Sequence, residues 1–216
     1  MNKLAPSVGS ESGGNEERNP RRVRADAQRS TDALLEAALE VFATSGVDAP
    51  VREIAQRAGV GVGTLYRRFP QRSDLVIAVF RHEVDACADA ATVLADQYAP
   101  GEAVAQWMLR YVDFIAAKRG LAAALHSGDP AFAVLPAYFQ QHLEPALSSL
   151  LVAAAAAGDM RADIAPYDLL RAVANLSTTT QEGGPEHARR MLALLVDGLR
   201  YGAGQASSSQ ATSQRP

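Results

Sequence analysis

The amino-acid sequence predicts an all-α protein of about nine helices. Apolar residues between the two ends of the chain recur every three or four positions, which is the period of one helix face. Alternating strand patterns and runs of β-branched residues are missing, and prolines and glycines stand where helices would begin or end. The chain has 216 residues, of which 48% are hydrophobic, and this is enough for one medium domain or two small ones around a shared core.

The first four helices follow from their apolar faces and from the residues that interrupt them. The first helix ends near Gly46, and two short helices are predicted over residues 51–58 and 62–68. Pro70 ends the third helix because proline disfavours helix in the residue before it. Ser73 is a suitable N-cap for a long fourth helix. That helix carries an apolar stripe formed by Val76, Phe80, Val84, Cys87, Ala91 and Leu94.

Five more helices and two tails complete the predicted organisation. The helices are expected over residues 102–119 and 121–126, between residues 135 and 157, from Pro166, and after Pro185, with a kink or break at Pro145. Residues 1–24 and 204–216 have no apolar period and are predicted to be disordered. We therefore expect a small head over residues 25–72 and a larger helical body over residues 73–203.

Composition limits the classes of function that the chain can have. No stretch is long and apolar enough to span a membrane, there is no signal peptide, and the single cysteine favours a reducing compartment, so we expect a cytoplasmic protein. The net charge is −3, but it is unevenly distributed. Residues 18–72 hold ten basic and six acidic residues, and residues 81–216 hold ten basic and fourteen acidic ones. No catalytic pair, metal-ligand spacing or cofactor motif is visible, so no enzyme activity, metal or cofactor is predicted.

The glycine-rich segment "AGVGVGTLYRRF", residues 58–69, predicts a helix-turn-helix unit. Ala55 is expected to be small because the next helix crosses close to it, and Gly59 is expected to take a left-handed conformation. Ile54, Val60, Leu65 and Phe69 are expected to point inward. The outward residues are then Val62, Gly63, Thr64, Tyr66, Arg67 and Arg68. Such a helix can place its N-terminal residues in the DNA major groove, where arginine binds guanine.

The segment "LLEAALEVFATSGVDAPVREIAQRAGVGVGTLYRRFPQRSDLVIAVF", residues 34–80, resembles the N-terminal domain of the tetracycline-repressor (TetR) family of bacterial transcriptional regulators. The segments "AGDMRADIAPYDLL" and "ARRMLALLVDGLR" resemble the end of members with an SbtR-like C-terminal domain. The sequence departs from the family pattern at Gly61, where serine is a common helix cap, and at Pro50, where serine or threonine often caps the second helix.

The resemblance implies a homodimeric repressor that binds palindromic double-stranded operator DNA and is released by a small-molecule effector. The family's DNA contacts, carried over by position, fall on Thr64, Tyr66, Arg67, Arg68 and Arg72. The outward residues Val62 and Gly63 complete the predicted DNA-binding set. The resemblance also implies a ligand pocket in the body, for which the candidates are Trp107, Tyr111, Phe114, Leu125, His126 and Phe139. The last two helices each carry an apolar stripe suited to a dimeric four-helix bundle, with candidate residues Leu170, Val173, Leu192, Leu195 and Leu199.

Several alternatives stay open on the sequence alone. The body could instead hold the cavity of an enzyme or of a small-molecule carrier. Its aromatic residues could simply be core. The basic cluster of Arg21, Arg22 and Arg24 could be an arm that enters the DNA minor groove or only the solubilising end of a tail.

Overall fold

The computed structural model describes the backbone of residues 20–178 and 184–212, and the side chains of residues 28–177 and 186–201. Over these residues the chain forms nine α-helices and two 3₁₀ turns, without a strand, which confirms the predicted all-α class. The 3₁₀ turns are Lys118–Leu121 and Pro130–Phe132. The helices are α1 (Pro20–Ser45), α2 (Val51–Arg57), α3 (Val62–Arg68), α4 (Arg72–Gln97), α5 (Pro100–Ala117), α6 (Ala122–Leu125), α7 (Leu135–Ala156), α8 (Pro166–Thr178) and α9 (Gly184–Thr212).

The head consists of α1, α2 and α3, and it packs directly against the body. Helix α1 contacts α2, α4 and the 3₁₀ turn Lys118–Leu121. Gly120 in that turn lies against the backbone of α1, where a Cβ atom would stand 2.6 Å from the carbonyl oxygen of Phe42. A side chain cannot be accommodated at this distance without movement of the backbone. Head and body therefore meet through a close backbone approach that glycine makes possible.

The body is built around α5, which packs against α4, α7, α8 and α9. Trp107, Met108 and Tyr111 of this helix are fully buried. The indole Nε1–H of Trp107 donates a hydrogen bond to the carbonyl oxygen of Cys87 in α4 at 2.8 Å. The hydroxyl of Tyr111 donates to the carbonyl oxygen of Leu170 in α8 at 3.3 Å. Through these two hydrogen bonds, the polar groups of the buried aromatic side chains connect α5 to α4 and to α8.

The ends of the chain are more helical than predicted. Helix α1 begins at Pro20 and α9 continues to Thr212, so residues 20–24 and 204–212 are helical in the structure. Proline is favoured in the first turn of a helix, and extending an existing helix avoids the cost of a new nucleus. Residues 1–19 and 213–216, and the side chains of residues 21–24, lie outside what the structure describes.

Two details within the helices also differ from prediction. The N-cap of α4 is Gln71 rather than Ser73, and Gln71 forms a capping box with Asp74, whose Oδ2 accepts the Gln71 N–H at 2.9 Å. Helix α7 continues through Pro145 without a break. Because proline has no N–H, the carbonyl of Gln141 lacks its usual helical hydrogen bond. Gln141 and Pro145 are both exposed, so water can bind that carbonyl and the helix can continue.

No helix in residues 20–178 and 184–212 has the length and apolar character needed to span a membrane.

Candidate DNA-binding site

The turn between α2 and α3 has the geometry that the glycine-rich segment predicts. Gly59 has a φ of +68°, a left-handed conformation that a residue with a Cβ rarely adopts. Its N–H donates to the carbonyl oxygen of Gln56 at 3.2 Å, and the N–H of Val60 donates to that of Ala55 at 2.9 Å. This pair of bonds is a Schellman motif, which ends α2 and fixes the direction in which the chain leaves it.

Helices α2 and α3 are held together by a small apolar core. Ile54, Ala55, Leu65 and Phe69 are buried, and Val60 is partly buried against the same cluster. The carbonyl oxygen of Gly61 accepts the first hydrogen bond of α3, from the N–H of Thr64 at 2.9 Å. Glycine thus serves as the N-cap residue without a side-chain bond. The four residues predicted to point inward, together with Ala55, are the ones that join the two helices.

The opposite face of α3 is open to solvent. Gly63, Thr64, Tyr66, Arg67 and Arg68 are exposed, with Tyr66 at 52%, and Val62 is partly buried. A guanidinium NH2 of Arg67 donates to the Thr64 hydroxyl at 3.1 Å, which aligns these two side chains along the helix. The structure therefore brings six predicted contact residues onto one short helix. That they contact DNA stays a prediction.

Gly63 has no structural requirement to be glycine inside this chain. Its φ is not positive, and a Cβ atom built at this position would meet no heavy atom within 4 Å. The missing side chain leaves room for a partner to approach the outer face of α3 closely. DNA in the major groove is such a partner.

Arg72 behaves differently from the other predicted contact residues. Its guanidinium donates one hydrogen bond to the carbonyl oxygen of Val47 and another to that of Ala49 at 2.7 Å, and its side chain is partly buried. Both acceptors belong to the connection between α1 and α2. Arg72 therefore ties the start of α4 to the head, which the sequence pattern did not reveal. The structure gives it this positioning role, and a contact with phosphate stays a prediction.

One further cation on the head was not predicted. Arg52 is exposed on α2, and it forms no ion pair with the residues that the structure describes. Arg57, by contrast, is held by Glu40 of α1 at 2.7 Å. Helical period alone indicates that both face outward but does not tell which of them is paired.

Comparison with known proteins identifies the family. Residues 34–79 match the family described as bacterial regulatory proteins, tetR family, and residues 99–201 match the SbtR-like C-terminal domain of transcriptional regulators. The structure is similar to the TetR transcriptional regulator SCO0520 from Streptomyces coelicolor, with 39% sequence identity and a TM-score of 0.68, covering 78% of this chain and 97% of that one. The chain belongs to the TetR family of transcriptional regulators.

Two further relatives agree with this assignment. A TetR transcription regulatory protein from Mycobacterium vanbaalenii is 36% identical with a TM-score of 0.65, over 82% of this chain and 99% of that one. An HTH-type transcriptional regulator from Staphylococcus aureus (strain USA300) is 28% identical over 123 residues, which are 56% of this chain and 66% of the relative. The match thus spans slightly less than two thirds of that curated relative. The family is one of regulators rather than of enzymes, which removes the enzyme alternative.

The predicted pocket residues of this TetR-family chain divide into two groups. Trp107, Tyr111 and Phe114 are buried and stacked, with ring centroids 5.8 and 5.9 Å apart, and Phe139 of α7 lies 6.1 Å from both Tyr111 and Phe114. We call these four residues the aromatic cluster. Of the other two, Leu125 is partly buried against the core, whereas His126 is exposed at the end of α6. A pocket role for these residues stays a prediction.

The predicted dimer interface requires correction. Leu170, Val173, Leu192 and Leu199 are buried within the single chain, and only Leu195 is partly exposed. These stripes pack α8 and α9 onto α5 and onto each other, so the four buried side chains are not available to a second copy. The large apolar residues exposed on α9 are instead Leu194, at 64%, and Tyr201, at 75%. An apolar stripe on a helix does not distinguish the protomer's own core from an interface.

Proposed function

We propose that this chain is a ligand-responsive repressor that binds palindromic operator DNA as a homodimer in the cytoplasm. The observation that carries the proposal is the outer face of α3. It combines two exposed arginines, an exposed threonine and tyrosine, and a glycine that no internal contact requires. This combination suits a helix that enters the major groove, where the backbone must approach the base edges and arginine binds guanine.

The dimer that we propose uses the exposed side of α9. Leu194, Gly198 and Tyr201 are all exposed and follow one another at a spacing of four and three residues, so they share one helix face. Exposed large apolar side chains on one face are typical of an interaction surface. A two-fold axis through this face would present two α3 helices to half-sites about 34–36 Å apart.

Helix α4 connects the two ends of the proposed switch. It has 26 residues, and at about 1.5 Å per residue it is about 39 Å long. At its start Arg72 is bound to the head, and further along Asp85 accepts a hydrogen bond from the Tyr138 hydroxyl of α7 at 2.7 Å. The carbonyl of Cys87 accepts the Trp107 indole. A ligand that moves the aromatic cluster would therefore displace α4, and with it the head.

The test is an electrophoretic mobility shift with DNA from upstream of the protein's own gene. We expect a salt-sensitive shift for the wild type and a loss of ~1–3 kcal/mol per base contact in Arg67→Ala/Arg68→Ala. Arg110→Ala/Arg161→Ala is the matched control, since it removes the same charge from the body, away from the head, and should retain binding. Equal affinities for the wild type and the α3 variant would reject the proposed DNA interface.

A further inference from the structure

One basic residue of the body combines partial burial with the lack of an acidic partner among the described residues. Lys118 follows α5 and begins the 3₁₀ turn Lys118–Leu121. Its side chain is partly buried, yet its ammonium forms no hydrogen bond or ion pair with the residues that the structure describes. Arg161, which is also partly buried, is by contrast paired with a carboxylate, that of Asp163. A partly desolvated ammonium is normally compensated by an acceptor, so its absence here is unusual.

The surroundings of this ammonium are aromatic. The Nζ atom lies 5.8 Å from the centre of the Phe139 ring, within the range of a cation–π contact. Phe139 is only partly buried, unlike Tyr111 and Phe114, against which it packs. Phe139 is therefore the accessible edge of the aromatic cluster, and a cation stands directly over it.

The electrostatics agree with this geometry. Burial lowers the pKa of Lys118 from its usual value, and no carboxylate of the residues that the structure describes is close enough to raise it again. The neighbouring Arg119 is a second cation, and its guanidinium donates a hydrogen bond to the carbonyl oxygen of Ser177 at 2.7 Å. An anion placed beside Lys118 would raise this pKa again by favouring the ammonium form, and it would supply the missing partner.

We propose that Lys118 is an anion-binding residue of the body, and that its ligand is an apolar aromatic molecule carrying one carboxylate or sulfonate group. The anion binds the ammonium, and the apolar part contacts Phe139 at the edge of the aromatic cluster. The assignment of this ligand as the effector rests on the proposed function. Binding of the anion itself does not.

The first experiment compares two fluorescent probes that share their rings and differ in charge. 1-Anilinonaphthalene-8-sulfonate carries a sulfonate, and N-phenyl-1-naphthylamine is its uncharged analogue. We expect Lys118→Met to weaken binding of the sulfonate probe roughly 10-fold or more, as for loss of a charge-assisted hydrogen bond, and to leave the neutral probe unchanged. Arg110→Met removes a body cation elsewhere and should change neither. Equal loss of both probes would indicate a packing role for Lys118 and overturn the proposal, as would no binding of either probe to the wild type.

A second measurement observes Lys118 directly. The chain contains two lysines, Lys3 and Lys118, so reductive methylation with ¹³C-formaldehyde gives a simple NMR spectrum that Lys118→Met assigns. We expect the dimethylamine of Lys118 to titrate below free dimethyl-lysine, and its pKa to rise when the sulfonate probe saturates the protein. An unchanged pKa would show that the probe binds elsewhere and would refute the site.

Operator binding separates the two proposals. If the sulfonate probe binds through Lys118 but leaves operator affinity unchanged, the anion site stands and its role as the effector site fails. If the protein binds its operator but the probe does not depend on Lys118, the DNA-binding function stands and the anion site fails.

Discussion

Replacing Gly63 by alanine should change folding and DNA binding in opposite directions. Gly63 is the second residue of α3, it has no positive φ, and a Cβ at this position would meet no heavy atom within 4 Å. Alanine favours a helix over glycine by up to about 1 kcal/mol. With no clash to offset it, this gain should raise the melting temperature by about 2–4 °C for a chain of this size.

The same methyl group should weaken the complex with operator DNA. It would project from the outer face of α3 into the space that the base edges need. Overpacking a close interface costs about 1–3 kcal/mol, and each 1.4 kcal/mol corresponds to about a tenfold loss of affinity. A dimer would meet this cost at both half-sites. We therefore expect operator affinity to fall about tenfold or more.

The assay pairs thermal unfolding, followed by circular dichroism, with fluorescence anisotropy on a labelled operator. Thr92→Ala is the control, because Thr92 is exposed on α4 and its replacement also raises helix propensity, away from the head. It should stabilise the protein slightly and leave operator affinity unchanged. If Gly63→Ala binds the operator as tightly as the wild type, the backbone of α3 does not approach DNA closely, and our explanation of this glycine is wrong.

Three other outcomes follow from the packing of the body. Gly120→Ala should destabilise the protein by about 1–3 kcal/mol in urea unfolding, since its Cβ would stand 2.6 Å from the Phe42 carbonyl oxygen; a stability equal to the wild type would contradict this. Burial raises the pKa of Cys87 to about 12, so the native thiol should resist Ellman's reagent at pH 8 and react on unfolding, and rapid native labelling would refute its burial. Leu194→Glu/Tyr201→Glu should yield a folded monomer in analytical ultracentrifugation, and a dimer of undiminished affinity would exclude this face of α9.

Local signals in the sequence were sufficient for the turn between α2 and α3 and for the outer face of α3. Gly59 was predicted to be left-handed because its position after α2 favours a residue without a Cβ, and its φ is +68°. The inward and outward sides of α3 followed from helical period. The helix has only seven residues and Leu65 is the buried one, so the side that faces the core is well defined. The role of Arg72 was not predictable in this way. Its acceptors, the carbonyls of Val47 and Ala49, are more than twenty residues away in sequence.

The body was harder to interpret because helical period shows which face of a helix is apolar but not what packs against that face. Leu199 and Tyr201 lie two positions apart on α9, yet the first is buried in the protomer and the second is exposed. Both are large and apolar, so hydrophobicity does not separate core from interface, and only the packing of α9 on α5 and α8 does. A stripe of leucines near the end of such a chain is therefore weak evidence for a dimer.

The same limitation explains why Lys118 carried no signal in the sequence. A single lysine after an apolar helix is expected at a helix C-terminus, where the dipole favours a cation and solvent usually surrounds it. What makes Lys118 unusual is the position of Phe139, 21 residues later on another helix, and the lack of a carboxylate among the described residues near it. Both depend on how α5 and α7 pack.

If a bound ligand displaced α7, Phe139 of the aromatic cluster would move relative to Lys118. The hydrogen bond from the Tyr138 hydroxyl to Asp85 would transmit this displacement to α4. An anion held by Lys118 against Phe139 would thus act on the helix that carries the head, which is the physical route by which binding in the body could change affinity for DNA.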